Sequence, residues 1–470
     1  MTTAADRRPP AVIVVGGGIS GLAAAFELAR RGVPMRLLES GPRWGGLVRT
    51  ERTGRLTLDP GADGFTITKP GALELCRDLG IDSRLIAPQP PPGAFVLRGG
   101  RLYPLPRGGV FGLPSVPWRL LRARLFTWSG RVRMAVEPWV APGDPGEDES
   151  IASFMTRRFG REAAEYLADP LLAGIHAGDV DRLSVRALFP ALVDAERTHG
   201  SVLRGLARIP RDETTGPFRS FPGGIAELID SLVRALPAEA IWTRTPVRRI
   251  AQDGGEFAVE TGSGLTLRAP AVVLALPAYA TATVLQACAP SVAALCAEIR
   301  YASTVAVMLS YDRTAVGRPL AGSGFVVPGV ERHTRILAAT FVSTKWPGRA
   351  PEDQALFRVF LGGARDAAIA DLDDHRLAAI AHADLARVLR IRSSPRFARV
   401  YRWTRASPQL ELGHHARLAA LDRALAALPG LFLTGAGLRA VGLPDCITDA
   451  RRTAAAAAEF VTARLPRAAR

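Results

Sequence analysis

Hydrophobic and polar positions along this chain change their period several times, and each change marks an element. Ala11 to Val15 is an unbroken apolar run. Glycines follow, and then Ile19, Leu22, Phe26 and Ala29 recur at spacings of three and four, the stripe of a helix with one buried face. Gly32 stops that helix and Met35 to Leu38 is a second apolar run, so the opening 40 residues predict strand, helix, strand. The longest uncharged stretch, Ala269 to Ala297, could span a bilayer by length alone, but Pro270, Pro277 and Pro290 interrupt it. It reads instead as soluble core, with a buried strand Ala271 to Leu276 and a helix Ala280 to Ala289. Thr304 to Tyr311 and Ala355 to Leu361 predict strands of a further sheet. Leu431 to Thr434, a Gly-rich turn and an Ala-rich helix then repeat the opening logic, and a basic tail with Arg464, Arg467 and Arg470 follows.

Between these patterns lie breaks. Four prolines between Ala87 and Gly93 predict an extended connector, and from there to about Gly200 the chain is rich in Arg, Trp and amphipathic patterns, with an acidic loop at Gly143 to Glu149. No internal repeat or long low-complexity tract is present.

Composition narrows the partners. The 470 residues carry 60 Lys or Arg against 44 Asp or Glu, a net charge of +16, and only Lys69 and Lys345 are lysines. Such a balance suits nucleic acid, an anionic membrane surface or an acidic small molecule. The arginines are spread along the whole chain without a nucleic-acid motif of definite spacing, so nucleic acid is excluded as a partner. Cys76, Cys288, Cys296 and Cys446 show no CxxC spacing and read as reduced and intracellular; His414-His415 has no metal-ligand spacing, and no metal is expected. The polar start, Met1 to Pro10, is not a convincing secretory signal.

The chemistry concentrates at Gly16-Gly17-Gly18-Ile19-Ser20-Gly21, a GxGxxG set between a strand and a helix. Gly16 permits the tight turn, Gly18 lets backbone approach a pyrophosphate, Gly21 lets the helix pack on the sheet, and the helix N-terminus offers free N–H groups. Glu39 ends the second strand, 18 residues after Gly21, where a carboxylate can bind both hydroxyls of a ribose. NAD and FAD share this fingerprint. Arg43, Gly45-Gly46 and Leu47 add a second backbone approach and a cation. Near the other end, Gly435-Ala436-Gly437 and Val441 to Asp445 lead into a helix starting near Cys446, whose N-terminus could face a flavin pyrimidine edge or simply be a strand-turn-helix.

These residues, with Glu39-Ser40, Arg43-Trp44-Gly45-Gly46, Gly61-Ala62-Asp63-Gly64-Phe65 and Val441-Gly442-Leu443-Pro444-Asp445-Cys446-Ile447, resemble the flavin-containing amine oxidase superfamily. Within it the chain is most similar to the oxygen-dependent protoporphyrinogen and coproporphyrinogen oxidases. The narrower match rests on the run Asp169 to Asp179, on Arg182-Leu183-Ser184, and on Phe221-Pro222-Gly223-Gly224. Ala275-Leu276-Pro277-Ala278, Pro408-Gln409 and Gly413-His414 extend it. The resemblance implies FAD, held by Gly16 through Gly21, Glu39, Ser40, Arg43, Leu47, Gly61, Ala62, Asp63, Gly64, Val247, Trp403, Val441, Gly442 and Leu443. Val247 and Trp403 are single residues that an apolar core role explains as well. The implied reaction is oxidation of a porphyrinogen tetrapyrrole in haem biosynthesis, with O2 reoxidising the flavin and hydrogen peroxide released. No catalytic side chain is implied.

Two departures stand out. Amine oxidases of the superfamily usually carry a lysine on the strand matching Thr304 to Ser310, and this chain has none there, which argues against amine oxidation; an amine oxidase or a carotenoid-type desaturase on the same scaffold is the runner-up reading. The arginine that some relatives place before Phe95 to Leu97 is Gly93-Ala94 here, with Arg98, Arg101 and Arg107 nearby. Arg98 and His176 are the substrate candidates, though a surface charge and a packing imidazole explain them too.

The fold class expected is α/β: a discontinuous Rossmann-like FAD-binding domain, a mixed-sheet substrate domain and a helical insertion. Residues 1–86, 219–297 and 401–470 form the FAD-binding parts, 93–205 the insertion and 298–400 the substrate domain. The insertion, with Trp118, Trp128 and Trp139 among arginines, could rest on a bilayer or act as a packed lid, so the expected location is cytoplasmic with a peripheral place on the inner membrane surface left open. Oligomeric state is not specified.

Overall fold

A computed structural model of the chain describes residues 9–91, 93–106, 113, 121–144, 146–208 and 216–464; Arg107, Trp118, Arg467 and Arg470 lie outside the described residues. Five parallel strands form one sheet in the order Leu431–Leu433, Ala271–Leu274, Val12–Val15, Met35–Leu38, Ile241–Trp242. All four residues of Val12–Val15 are buried, as a central parallel strand covered on both faces requires. Successive side chains point to opposite faces. Val12 and Val14 join a core with helices Ile19–Arg30 and Leu443–Arg464, while Ile13 and Val15 join another with Phe257, Val259 and the helices after Leu274.

The stretch Ala269 to Ala297 is core, but its elements shift from expectation. The strand ends at Leu274, a first helix runs Ala278–Leu285, and a second, Pro290–Ala297, starts on the proline. Pro290 lacks an N–H that the first helical turn would leave unpaired anyway, so it starts a helix rather than ending one. The last helix likewise begins at Leu443, three residues ahead of Cys446.

A second sheet has seven strands in the order Phe397–Pro408, Tyr301–Asp312, Gln354–Gly362, Ile336–Phe341, Gly324–Val326, Phe95–Arg98, Arg101–Pro104. Only the Gly324–Val326 pairing with Phe95–Arg98 is parallel, so the sheet is mixed. One face packs on helix Asp374–Leu389 through Val305, Val307, Phe357, Val359, Leu377 and Leu385. The helical insertion has its own core around Met134, Phe154, Phe159 and Leu203. Within it the fully buried Arg158 donates from Nε to Glu137 at 2.8 Å. The same carboxylate accepts from Ser201 Oγ at 2.6 Å and Val202 N at 2.9 Å, so the buried pair is satisfied on both sides. No helix among the described residues is long and apolar enough to cross a membrane, and all four cysteines are free thiols.

Candidate dinucleotide and substrate site

The carboxyl ends of Val12–Val15 and Ala271–Leu274 mark where strand order reverses in the parallel sheet, the place where open α/β sheets form a ligand crevice. Gly16 leaves the first strand at φ +107°, and a Cβ there would lie 2.5 Å from the Ala275 carbonyl oxygen. A Cβ on Gly21 would lie 1.7 Å from the Gly16 oxygen. At Gly17 it would strike the Trp44 ring. Gly18 differs, because nothing in the chain lies within 4 Å of a Cβ built there. Ile19 opens the helix, and Ser20 is buried against Cys446 of the last helix. Glu39 reaches back over this turn: Gly17 N donates to Oε2 at 2.7 Å, Gly41 N to Oε1 at 2.6 Å, and Ser40 Oγ to Oε1 at 3.2 Å.

The other predicted cofactor residues join this turn through a chain of contacts. Gly45 N donates to Gly17 O at 2.8 Å, and Arg43 ties the same loop by donating to Gly46 O at 2.6 Å. Burial and Arg49 hold the Arg43 pKa below its ordinary value, against the pull of Glu39. Leu47 is exposed, and its carbonyl oxygen would sit 2.2 Å from a Cβ on Gly61. Trp403 Nε1 donates to Pro60 O at 3.1 Å, beside Gly61 and Ala62. Thr245 N donates to Glu39 O at 2.8 Å, which brings the loop before Val247 to the end of the second strand, while the Val247 side chain packs into the core. Gly64 lies against Arg219, whose carbonyl oxygen would be 2.5 Å from a Cβ there. Val441, Gly442 and Leu443 form the entrance to the last helix, where Cys446 N donates to Gly442 O at 2.9 Å.

Asp63 turns into protein. It accepts from Lys345 Nζ at 2.9 Å and Trp346 Nε1 at 3.0 Å, with an Arg358 nitrogen 3.2 Å away. Burial alone would raise its pKa, but Arg358 and Lys345 outweigh that and hold the carboxyl well below the usual range. Sequence reasoning missed Lys345, Arg349 and Arg358. The available signal was a lone arginine between Phe357 and Val359 in an otherwise apolar strand, since a buried charge requires partners.

The two substrate candidates part company. His176 ends helix Asp169–His176, packs edge-on to Phe189 with ring centroids 6.3 Å apart, and its carbonyl accepts from Gln409 Nε2 at 3.1 Å. Burial and the charge of Lys69 pull its pKa down to about 4, so the imidazole is neutral at pH 7. Lys69 in turn lies 2.6 Å from Asp445 at the start of the last helix. Arg98, at the end of strand Phe95–Arg98, instead turns its side chain to the insertion: it stacks 4.2 Å over Tyr166, pairs with Glu162 at 2.6 Å and donates to Leu125 O. No group of three or more potential metal ligands occurs among the described residues.

The arrangement fits FAD. Gly18 leaves open the space a pyrophosphate needs, Glu39 is set for ribose hydroxyls at the end of the second strand, and a second helix N-terminus and the Gly61–Gly64 segment border the same crevice.

Comparison with known proteins agrees. Residues 19–458 match the family described as flavin containing amine oxidoreductase. Coproporphyrinogen III oxidase of Bacillus subtilis is 32% identical over 94% of this chain and 96% of its own. The chloroplastic/mitochondrial protoporphyrinogen oxidase 2 of Arabidopsis thaliana is 28% identical over 90% and 89%. The crystal structure of a protein designated a protoporphyrinogen oxidase from Exiguobacterium sp. 255-15 superposes with a TM-score of 0.84 at 29% identity, covering 95% of this chain and 98% of that one.

Proposed function

The chain belongs to the flavin containing amine oxidoreductase family, and on that premise we propose that it is an FAD-dependent porphyrinogen oxidase of haem biosynthesis, acting on coproporphyrinogen III or protoporphyrinogen IX. The observation that carries the reading is similarity along nearly the whole length to relatives that bear those two names, at 32% and 28% identity. Bound FAD supplies a two-electron acceptor that O2 can reoxidise with release of hydrogen peroxide. Oxidation of a porphyrinogen to the porphyrin then takes three such rounds.

This chain's own residues bind and orient. Glu39 holds the adenosine ribose, Gly18 and the N–H groups opening the Ile19–Arg30 helix hold the pyrophosphate, and the Gly61–Gly64 and Val441–Leu443 segments border the flavin. The neutral imidazole of His176 lines the substrate space without adding charge, and Arg98 is committed to Glu162 and Tyr166. No protein acid or base is required, because the rate would come from placing a ring carbon at the acceptor. Amine oxidation is not favoured: strand Tyr301–Asp312 carries no lysine, and the two lysines of the chain are paired with Asp445 and Asp63.

A peripheral contact with an anionic membrane surface also belongs to the reading. Trp128, Val132, Val136 and Trp139 are 66%, 41%, 40% and 77% exposed and recur at helical spacing along the insertion, beside the exposed Arg124. An apolar stripe with a basic margin, on a chain of net charge +16, suits the cytoplasmic face of a bilayer.

The test is an aerobic assay of the purified flavoprotein with coproporphyrinogen III, protoporphyrinogen IX and a polyamine. Porphyrin fluorescence with at least one porphyrinogen is expected; its absence with both would sink the proposal, and parallel rates decide which is preferred.

A further inference from the structure

We infer that Arg358 is a positioning residue for the cofactor, a buried clamp in the substrate sheet that sets the backbone of Asp59–Gly64 so that its amide N–H groups are presented to FAD. The inference rests on the FAD reading above. Segment 59–64 carries no regular secondary structure, yet the carbonyl oxygens of Asp59, Pro60, Gly61 and Asp63 are held by side chains from distant parts of the chain. Arg358 Nη1 donates to Asp59 O at 2.7 Å and to Gly61 O at 2.5 Å. Trp403 Nε1 donates to Pro60 O at 3.1 Å, and Ser220 Oγ to Asp63 O at 2.7 Å.

A trans peptide points its N–H opposite to its C=O. The only cis bond among the described residues is Pro90-Pro91, so the peptides of this segment are trans. Fixing the carbonyls of Pro60, Gly61 and Asp63 therefore turns the N–H groups of Gly61, Ala62 and Gly64 away from the side chains that hold the segment. Among the described residues none accepts a hydrogen bond from those three N–H groups. Half-buried amides without a partner in the chain are set for an acceptor outside it, and the oxygens and ring nitrogens of a flavin are such acceptors.

The clamp needs arginine. One planar guanidinium spans two carbonyls two residues apart and still meets the Asp63 carboxylate at 3.2 Å, a fork that an ammonium cannot reproduce. Arg358 is 5% exposed and fixed by its strand, whose neighbours pair it with Met308 on one side and Thr340 on the other. Behind it, Arg349 lies 3.1 Å from Asp59 and donates to Phe221 O at 3.0 Å, bracing the start of the same segment. The sheet that walls the substrate space thus also sets the cofactor's amides.

The experiment measures the FAD dissociation constant and visible flavin spectrum of reconstituted Arg358→Lys beside a control, Leu356→Ala, two residues earlier on the same face of the same strand. Arg358→Lys keeps the positive charge but loses the bridge, so its FAD affinity should fall by about tenfold or more with a shifted flavin band. Leu356→Ala should lower the melting temperature without moving the affinity. Wild-type affinity in Arg358→Lys overturns the clamp, and so does an equal loss in Leu356→Ala, which would make the effect one of fold stability. If Arg358→Lys does not fold, Trp403→Phe removes the Pro60 bond alone; it should weaken FAD binding and shift the band, and an unchanged affinity and spectrum overturn the clamp. A wild-type chain that takes up no FAD refutes the cofactor reading, whereas normal wild-type uptake with an unaffected Arg358→Lys refutes only the clamp.

Discussion

Gly17 and Glu39, 22 residues apart, are joined by a 2.7 Å hydrogen bond from the Gly17 amide to the Glu39 carboxylate. The bond locks the glycine turn to the end of the second strand. Among the described residues Oε2 accepts only that bond and keeps lone-pair capacity for a ribose hydroxyl, while Oε1 accepts from Gly41 N and, at 3.2 Å, from Ser40 Oγ. Glu39→Ala should therefore weaken FAD binding by about 10- to 100-fold, through loss of charged hydrogen bonds, and the protein should emerge colourless from desalting. Full retention of FAD would contradict the role.

Two glycines of the same turn should respond in opposite ways. A Cβ at Gly21 meets the Gly16 oxygen at 1.7 Å, so Gly21→Ala should destabilise the fold by about 3 kcal/mol whether or not FAD is present. A Cβ at Gly18 meets no protein atom within 4 Å, so Gly18→Val should leave the melting temperature of the apoprotein nearly unchanged and abolish FAD uptake. Melting curves and flavin titrations of both variants check this, and normal FAD uptake by Gly18→Val would move the pyrophosphate elsewhere.

His176 predicts part of the acid sensitivity. Burial and Lys69 lower its pKa to about 4 in the folded chain, against an ordinary value near 6.5. Above about pH 6.5 both states are neutral and its contribution to stability is complete. As pH falls from there toward 4, the unfolded chain takes up a proton that the folded chain refuses, so stability declines, and below 4 this contribution levels off. His176→Gln should lose less stability than wild type between pH 7.5 and 4.5 in urea unfolding. His414, also lowered by burial, leaves a residual slope. Identical losses in the two proteins would show that His176 does not titrate as stated.

Trp128 and Trp139 are the exposed anchors of the insertion's apolar stripe. Sedimentation with vesicles containing phosphatidylglycerol should pull down the wild type at low salt and much less of a Trp128→Ser, Trp139→Ser double variant, with porphyrinogen turnover in free solution unchanged. Equal sedimentation of both proteins, or none of the wild type, would refute the membrane contact.

Legibility followed locality. The nucleotide turn could be read because each glycine's reason is met within a few residues or by the adjacent strand: Gly16 at its turn, Gly21 against Gly16, Glu39 at the next strand end. The departure from amine oxidases was readable from two lysines and their positions. Element ends were less readable, because a proline reads along the chain as a break, whereas Pro290 opens a helix four residues after Gln286, which caps the end of Ala278–Leu285.

The α/β class, the FAD fingerprint and the family were legible along the chain, all carried by periodicity and by short motifs whose physics is local. Tertiary structure alone decided what the lone charges do. Arg98 and Arg358 both sit in strands, yet one is bound to Glu162 in the helical insertion and the other holds the 59–64 backbone through Asp59 and Gly61. The reason is reach: partners of Arg358 lie almost 300 positions away, 299 to Asp59 and 297 to Gly61, and no spacing along the chain encodes which carbonyl a buried guanidinium will meet once two sheets pack.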